Sequence, residues 1–302
     1  MLVVAALGGN ALLRRGESMT ADVQRRNVDA AASALAKIIR AGHQLVVTHG
    51  NGPQIGLLSM QSDAWPLDLL GAETDGMIGY MIEQAVENAL GHDRPVVTLL
   101  TQVIVDAGDP AFRNPTKFVG PVWSHAEAEA TAGPRGWQIA QDGDGWRRVV
   151  PSPLPVAIPD SKVISLLLGQ GAVVICGGGG GIPVVRGDDG ALHGVEAVVD
   201  KDRASALLAT LLGADALLLL TDVAAVYRDF GTDQAAPVRQ MTVTEADGLP
   251  LPDGSMRPKV EAASAFVRSG GTHAVIGRLQ DARGMLEGRT GTRIVPMEKP
   301  AR

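Results

Sequence analysis

Short runs of apolar residues recur along the chain, with longer segments of mixed character between them. Within each run the apolar positions are consecutive and do not alternate with polar ones, which is typical of strands buried on both faces of a parallel sheet. The runs cover residues 2–7, 45–47, 96–100, 172–176, 216–220 and 274–276. We therefore predict a strand at each of these runs.

Three of the intervening segments place their apolar residues three or four positions apart, which predicts amphipathic helices. Gly42 and Gly213 follow the first two segments, where a helix commonly ends. Pro258 precedes the third, at a position that only the first helical turn accepts. The apolar stripes consist of Val28, Ala31, Ala32, Leu35, Ile38 and Ile39; of Ala204, Leu207, Leu208, Leu211 and Leu212; and of Val260, Ala263 and Val267. This alternation predicts one α/β domain over residues 1–302, a three-layer sandwich with a mainly parallel central sheet.

Residues 106–159 interrupt the alternation. They hold three of the four tryptophans and a cluster of prolines. Ser124 and Glu127 have the spacing of a capping box before a short helix, and the turn at residues 142–145 predicts a hairpin over 137–150. We interpret this stretch as an inserted, protruding subdomain that acts as a lid over an active site. A passive insertion or a dimerisation flap is the alternative.

The composition narrows the class of protein. Hydrophobic residues make up 45% of the chain and charged residues 20%, which excludes a disordered or fibrous chain. Aromatic residues contribute only 3%, whereas glycine occurs 37 times. The core is therefore expected to be aliphatic. Much of the backbone is expected to make close contact with another group, because glycine has no side chain to keep that group away.

Charge and cysteine content indicate the partners and the compartment. The net charge of −6 and the absence of a Lys/Arg-rich run argue against a nucleic-acid partner. A single cysteine cannot form an internal disulfide, and no apolar stretch approaches the ~18 residues of a membrane span. We expect a soluble, cytoplasmic protein with small-molecule partners and no membrane or nucleic-acid partner.

Glycines and small polar residues follow four of the predicted strands. In open α/β sheets, ligands bind outside the carboxyl ends of the strands, and glycines there expose N–H groups to an anion. The residues are Gly8, Gly9 and Asn10; Gly50, Asn51 and Gly52; the run 177–181; and Thr221 and Asp222. A single Gly-Gly turn is commonly only a tight turn, but four such strand ends together predict a site for phosphate or another small anion.

Two common phosphate-binding motifs are excluded. The chain contains no G-x-x-x-x-G-K-[ST], so it is not a P-loop enzyme. In the glycine run, Ile182 stands where the last glycine of G-x-G-x-x-G belongs, and the following residues continue as a strand. The sequence therefore argues against a dinucleotide fold.

Phosphoryl transfer needs cations around the migrating group. Lys201 lies between Asp200 and Asp202 at the start of a predicted helix, Lys259 starts another helix, and Lys117 lies in the insert. The alternative for each lysine is a solvated surface group, and for Lys201 a surface ion pair. Spacing alone does not decide between these interpretations.

The histidines and the cysteine give weaker signals. No histidine has the spacing of a zinc ligand. His49 is the only one beside a glycine motif, where a catalytic role and a backbone-bonding role at a strand end are equally compatible with the sequence. Cys176 ends a predicted buried strand without an evident partner base, so we interpret it as a packed apolar residue.

Together these residues resemble the signatures of the carbamate kinases, a branch of the amino-acid kinase superfamily. The glycine loops alone would indicate only the wider superfamily, whereas the full set of motifs is highly specific. The matching segments follow in order over nearly the whole chain at residues 6–11, 49–56, 114–117, 176–180, 194–202, 220–223 and 254–263.

The resemblance implies a homodimer with the amino-acid kinase fold and a protruding subdomain. It implies the reversible reaction of ATP with carbamate to give ADP and carbamoyl phosphate, with Mg²⁺. Many such enzymes work toward ATP at the end of arginine, agmatine or purine breakdown.

The resemblance also implies roles for individual residues. Lys201 and Lys259 would neutralise the transferring phosphoryl group, Asp202 would orient both lysines, and Lys117 would reach in from the lid. Many amino-acid kinases have a lysine where this chain has Ala6, and Lys201 would supply that charge. Substrate would be held by Gly8, Gly9, Asn10, Gly50, Asn51, Gly52, Gly177 and Gly178, and the nucleotide by Thr221, Asp222, Val223, Tyr227 and Met256.

Two other functions remain compatible with the sequence. One is a phosphotransferase of the same superfamily that acts on a different small acceptor. The other is a non-catalytic sensor of carbamoyl phosphate or nucleotide. The intact Lys201, Asp202 and Lys259 argue against a sensor, because a binding protein need not keep the transfer groups.

Overall fold

The computed structural model describes residues 1–13, 16–61, 65–251 and 256–297, with the backbone alone at positions 10 and 11. In these residues the strands are β1 (Leu2–Leu7), β2 (Gln44–His49), β3 (Val96–Leu99), β4 (Gln102–Val105), β5 (Lys117–Trp123), β6 (Gln138–Asp142), β7 (Gly145–Val150), β8 (Pro155–Ala157), β9 (Val173–Cys176), β10 (Ile182–Arg186), β11 (Leu192–Gly194), β12 (Ala216–Thr221), β13 (Val226–Arg228), β14 (Ala236–Val238), β15 (Gln240–Thr242), β16 (His273–Arg278) and β17 (Thr292–Val295).

The helices lie between the strands of the central sheet and in the connections. They are α1 (Gly9–Leu12), α2 (Ala21–Arg40), α3 (Gly52–Gln61), α4 (Leu67–Leu90), α5 (His125–Ala132), α6 (Ser161–Gly169), α7 (Lys201–Leu211), α8 (Val243–Gly248), α9 (Met256–Arg268) and α10 (Ala282–Leu286). None of the helices in the described part of the chain combines the length and the apolar character needed to cross a membrane.

The central sheet contains all six of the predicted strands. Its eight strands have the order β15-β17-β16-β12-β1-β2-β9-β3. Every neighbouring pair is parallel except β16 and β17. The prediction of a mainly parallel α/β sheet is confirmed.

Helices cover both faces of this sheet, and side chains of each strand alternate between the two layers. Val3, Ala5 and Leu7 of β1 pack in one layer with α2, α4 and α10. Val4 and Ala6 pack in the other with α6, α7, α8 and α9. The buried core is mainly Ala, Val, Leu and Ile, as the low aromatic content predicts. Successive side chains of a strand point to opposite faces of the sheet, so each face packs against its own layer of helices. The arrangement is therefore a three-layer sandwich.

The insert leaves the main body after β4 and returns through β8, which pairs with β4. It contains a three-stranded antiparallel sheet of order β5-β7-β6 and helix α5. The predicted capping box of Ser124 and Glu127 is present at the start of α5, and β6 and β7 form the predicted hairpin. The boundaries 106–159 and the role of this unit as a lid remain predictions.

The insert contacts the main body through two glycines. Helix α3 passes so close to β5 that a Cβ on Gly56 would lie 2.2 Å from the Cα of Gly120. Gly120 itself has a φ of +79°, in the left-handed region that favours glycine. The main chain of β5 in the insert therefore packs directly against the main chain of α3 in the body.

Candidate active site

The carboxyl ends of β12, β1, β2 and β9 lie side by side in the sheet. Leu7 is paired with Leu220 on one side and with His49 on the other, and Val47 is paired with Ile175. A Cβ on Gly50 would lie 3.2 Å from the amide nitrogen of Gly9. The loops that follow the four strands therefore lie close together. The predicted anion site is at this position, and main-chain atoms of these loops line it.

The N–H groups of the first two loops divide into paired and unpaired ones. Gly8 donates to the Leu220 carbonyl at 2.9 Å and Gly50 to the Leu7 carbonyl at 3.1 Å. The amides that follow, those of Gly9, Asn51 and Gly52, have no partner among the described residues. The backbone of Asn10 lies in α1, and its side chain is outside the described part of the structure.

The glycine run after β9 uses most of its own N–H groups. Gly177 donates to Thr101 Oγ1 and Gly178 to Asp75 Oδ1, each at 3.0 Å. The two glycines after Gly179 close the turn with backbone hydrogen bonds. The N–H group of Gly179 alone in the run has no partner among the described residues. Gly177 and Gly178, predicted to bind substrate, thus lie at the site with their amides already occupied.

Two lysines share one buried carboxylate at the start of α7 and α9. Lys201 Nζ lies 2.5 Å from Asp202 Oδ1, and Lys259 Nζ lies 2.8 Å from Asp202 Oδ2. Burial alone would raise the pKa of Asp202, but the lysines outweigh it and hold that pKa well below its usual range. Burial lowers the pKa of Lys201, although Asp202 opposes this change. The surface ion pair considered for Lys201 is therefore wrong, because its side chain is only 13% exposed.

Lys117, on the first residue of β5, reaches the same region from the insert. Its Nζ lies 2.7 Å from Asp200 Oδ2. The other oxygen of Asp200 accepts hydrogen bonds from the N–H groups of Asp202 and Arg203, so Asp200 is the N-cap of α7. Burial would raise the pKa of Asp200, but the charge of Lys117 lowers it. One carboxylate thus fixes the helix that carries Lys201 and also holds Lys117.

Two contacts join the lysine cluster to the glycine loops. A Cβ on Gly180 would lie 2.4 Å from the carbonyl oxygen of Val199, which directly precedes the N-cap of α7. The hydroxyls of Thr48 and Ser205 lie 2.6 Å apart and connect β2 with α7. Cations and unpaired N–H groups therefore occur in one region, which suits a small anion with several negative charges.

Of the residues predicted to line the nucleotide site, Thr221 and Met256 adjoin this region. Thr221 ends β12, and its hydroxyl donates to Asp222 Oδ1 at 3.0 Å. Val223 follows in the loop, and Tyr227 lies in β13. Met256 begins α9, one turn before Lys259, whereas residues 254 and 255 of the same motif lie outside the described residues.

The sequence analysis missed three residues that organise the site: Asp200 as a shared anchor, and Thr74 and Asp75 of α4. Asn51 Nδ2 donates to Thr74 Oγ1 at 2.8 Å, and Asp75 binds Gly178. An aspartate within the largely apolar stretch 67–90 is the one sequence feature at Asp75, but that stretch has no narrow apolar stripe that would mark the position as buried. Local spacing gives no such signal for Thr74.

His49 and Cys176 both lie beneath the site. The His49 ring is fully buried, with Nε2 3.3 Å from Asp75 Oδ1 and Nδ1 3.3 Å from the Gly50 carbonyl. This placement favours the strand-end role over a catalytic one. Burial, with a smaller effect of Asp75, raises the pKa of the Cys176 thiol far above its usual value, as expected of a packed thiol.

Acidic side chains at the site are not arranged as metal ligands. In the described ranges, no group of three or more His, Cys, Asp or Glu side chains could hold a metal ion. Asp200 and Asp202 are both bonded to lysines. They therefore do not fit the role of free carboxylate ligands in this arrangement.

Comparison with known proteins identifies the family. The sequence profile of the amino acid kinase family matches residues 1–278. The chain is 53% identical over 300 residues to the carbamate kinase of Rhizobium meliloti (strain 1021), covering 97% of this chain and 92% of that protein. It is 50% identical over 296 residues to the carbamate kinase of Escherichia coli (strain K12), covering 96% and 98%.

Solved structures agree with the sequence relatives. The carbamate kinase from Giardia lamblia bound to AMP-PNP superposes with a TM-score of 0.89 and 40% identity, and the match covers 98% of both chains. The fold, the sequence relatives and the order of the motifs along the chain thus lead to one assignment. The chain belongs to the amino acid kinase family and, within it, to the carbamate kinases.

Proposed function

We propose that this protein catalyses the reversible transfer of a phosphoryl group between ATP and carbamate, which yields ADP and carbamoyl phosphate. One observation carries the proposal: Lys201 and Lys259, held by Asp202, lie beside three loops that offer unpaired N–H groups. The chain is also about half identical to carbamate kinases over nearly its whole length. Neither a different acceptor nor a sensor role is favoured by these relatives.

The lysines neutralise charge on the migrating group. In-line phosphoryl transfer spreads negative charge over the equatorial oxygens, and fixed cations stabilise that state without moving. Asp202 orients both ammonium groups through separate oxygens. The N–H groups of Gly9, Asn51, Gly52 and Gly179 bind the oxygens of carbamate and of the phosphoryl group.

No covalent intermediate is needed in this mechanism. Carbamate supplies the attacking oxygen itself, and the protein holds it in line with the phosphorus and the leaving ADP oxygen. When bound together with the nucleotide, Mg²⁺ would supply further charge neutralisation at the phosphates. The protein groups proposed here act beside that ion and not through it.

Lys117 is proposed to contact carbamoyl phosphate from the lid. In this structure it is paired with Asp200, which places its ammonium group next to the helix that carries Lys201. Lys117→Ala should therefore raise the KM for carbamoyl phosphate about tenfold or more while the KM for ADP changes less. Steady-state kinetics with each substrate varied in turn measures this, and an equal loss for both substrates would count against the lid role.

The activity is tested in the direction of ATP formation. Purified protein is mixed with ADP, Mg²⁺ and carbamoyl phosphate, and ATP is followed by luciferase luminescence. ATP formation that depends on all three components is the expected result. The double variant Lys201→Ala/Lys259→Ala serves as the negative control, and folded wild-type protein without ATP formation would refute the proposal.

We propose ATP formation as the physiological direction. Carbamoyl phosphate is a mixed anhydride and a strong phosphoryl donor, so transfer to ADP is downhill. This direction suits a cytoplasmic enzyme at the end of arginine breakdown. That role is tested by comparing growth on arginine as the energy source between the wild-type strain and a strain that lacks this protein.

We also propose that the protein is a homodimer, joined at the β3 edge of the central sheet. Among the described residues, β3 ends the sheet, and next to it Met77 and Tyr80 of α4 and Leu100 are each more than 40% exposed. Such an apolar stripe beside an unpaired strand edge is typical of an interface. Tyr80→Glu with Met77→Glu should shift the sedimentation coefficient from dimer to monomer, whereas the matched exposed pair Val156→Glu with Leu154→Glu, elsewhere on the surface, should not.

A further inference from the structure

Asp75 is a buried carboxylate in the middle of helix α4. It is 0% exposed, and its Oδ1 accepts the hydrogen bond from Gly178 N–H at 3.0 Å. The His49 ring lies 3.3 Å from the same oxygen, while Oδ2 has no hydrogen-bond partner among the described residues. Burying a carboxylate with so few donors destabilises a fold. Such a group requires an explanation beyond packing.

The contact fixes the start of the glycine run. Gly177 and Gly179, on either side of Gly178, have φ values of +60° and +66°, which are left-handed conformations. A Cβ on Gly178 would lie 2.1 Å from Asp75 Oδ1, so the carboxylate and this backbone are in direct contact. The turn is therefore held both by its conformation and by one hydrogen bond from α4.

Helix α4 holds the neighbouring loop as well. Thr74, the residue before Asp75, accepts a hydrogen bond from Asn51 Nδ2 at 2.8 Å. A Cβ on Gly179 would lie 2.2 Å from that same nitrogen, so the two loops touch. Two consecutive residues of one rigid helix thus set the relative position of both anion-binding loops.

We propose that Asp75 is a positioning residue for phosphoryl transfer. By holding Gly178 N–H it fixes the glycine run so that the unpaired N–H group of Gly179 is presented to the transferring group. The inference rests on the function proposed above, and Asp75 itself does not touch substrate. The essential property of Asp75 is a hydrogen-bond acceptor at Oδ1, and its negative charge is not required.

Two substitutions separate these properties. Asp75→Asn keeps a carbonyl oxygen that accepts from Gly178 N–H, whereas Asp75→Ala removes it. Asp75→Ala should lower kcat for ATP formation by ~10- to 100-fold, less than the ~100- to 1000-fold that follows outright loss of a transition-state donor, because Gly179 N–H is only displaced. The KM for ADP should stay within about twofold, and Asp75→Asn should keep kcat within about fivefold.

A second measurement reports the loop directly, without any activity. Hydrogen–deuterium exchange of peptides that span residues 173–185 should become about fivefold faster in Asp75→Ala, because a hydrogen bond of about 1 kcal/mol is lost. Asp75→Asn should exchange like the wild type. Ile78→Ala, one turn later on α4 and 1% exposed, is the matched control for a loss of stability alone.

The outcomes distinguish a failure of the positioning role of Asp75 from a failure of the proposed function. Wild-type kcat with wild-type exchange in Asp75→Ala would overturn the positioning role, and so would equal losses in Asp75→Asn and Asp75→Ala. A loss of kcat as large in Ile78→Ala would assign the effect to stability and overturn it too. Wild-type protein that forms no ATP refutes the proposed function, while the exchange data still decide whether Asp75 holds the loop.

Discussion

At the scale of single residues, the site depends on Asp202. Its two oxygens separate the ammonium groups of Lys201 and Lys259, which would otherwise repel one another in a buried place. Breaking a buried ion pair by removing one partner typically costs about 3–5 kcal/mol, because the other charge is left uncompensated. Asp202 therefore stabilises the fold of the site and also orients the two lysines.

Removing either lysine should reduce catalysis strongly. Lys201→Ala and Lys259→Ala should each lower kcat by ~100-fold or more, the scale seen when a transition-state charge contact is lost. Initial rates of ATP formation measure the effect, and thermal unfolding verifies that each variant is folded. Lys162→Ala, on the exposed part of α6, is the control and should keep full activity. Near-normal turnover in both site variants would contradict their assigned role.

The single cysteine should be inert in the native protein. Cys176 is 0% exposed, and burial raises the pKa of its thiol, so almost no thiolate is available. An aromatic disulfide reagent at pH 8 should release less than about 0.1 equivalent of thiolate over an hour, and one equivalent in denaturant. Rapid reaction of the native protein, with activity lost in parallel, would show that the strand end opens.

Spacing in the sequence named Lys201 and Lys259 as candidates but did not decide their role, and only the resemblance to the carbamate kinases linked them to Asp202. Lys201 and Lys259 stand at predicted helix starts, yet Lys259 is 57 positions from Asp202, and their contact depends on how α7 packs against α9. Asp75 is 103 positions from Gly178. Hydrogen bonds over such separations depend on the tertiary fold, and no local pattern encodes them.

At the scale of elements, the buried strands and the three helices with a narrow apolar stripe, α2, α7 and α9, were predictable, whereas segments without such a pattern were not. The six apolar runs carry their own signal because both faces of each strand are covered. Helix α4, with 24 residues, was not predicted, because apolar residues occur on several of its sides and leave no narrow stripe. Short strands such as β8 and β13 have three residues each and depend on pairing with β4 and β14.

The contact between α3 and β5 yields a prediction about the insert. Gly56→Ala places a Cβ against the backbone of Gly120, which cannot yield as a flexible side chain does. The insert must shift, so kcat/KM for carbamoyl phosphate should fall about tenfold while ADP binding is retained. Titration calorimetry with ADP and steady-state kinetics measure both. Gly169→Ala, at the end of α6 with open space around it, is the control, and equal kinetics in the two variants would contradict the coupling.

At the scale of the whole molecule, one sheet supports both the core and the site. The same strands β12, β1, β2 and β9 are buried except at Leu2, Gln44 and Thr221, and they lead into the loops of the site. The overall sandwich followed from the alternation of apolar runs and helical stripes. The way the insert rests on the body did not, because it depends on two glycines that are far apart in the sequence, Gly56 and Gly120.

Stability should fall in mild acid because of His273. This residue starts β16 and is 3% exposed, and burial, together with the charge of Arg293, lowers its pKa to about 4 from an ordinary 6.5. Above pH 6.5 the ring is neutral in both the folded and the unfolded chain. Between pH 6.5 and 4 the unfolded chain binds a proton that the folded one does not, so up to about 3 kcal/mol of unfolding free energy is lost.

Urea unfolding at pH 7 and at pH 4.5 tests this expectation. His273→Leu removes the titrating ring, so its free energy of unfolding should change less between the two pH values than that of the wild type. His193→Leu serves as the control because His193 is exposed in β11. The same pH dependence in His273→Leu and in the wild type would contradict the assignment.

The pairing of Lys117 with Asp200 has a consequence for the rate at which substrate arrives. Among the described residues, the cluster of Lys117, Lys201 and Lys259 with Asp200 and Asp202 carries one net positive charge, in a chain whose total is −6. Long-range attraction for an anion is therefore weak, and kcat/KM for carbamoyl phosphate should vary only slightly with ionic strength. Substrate should then find the site mainly by free diffusion, and if Lys117 binds it as proposed, it would meet the full charge of Lys117 only after displacing Asp200.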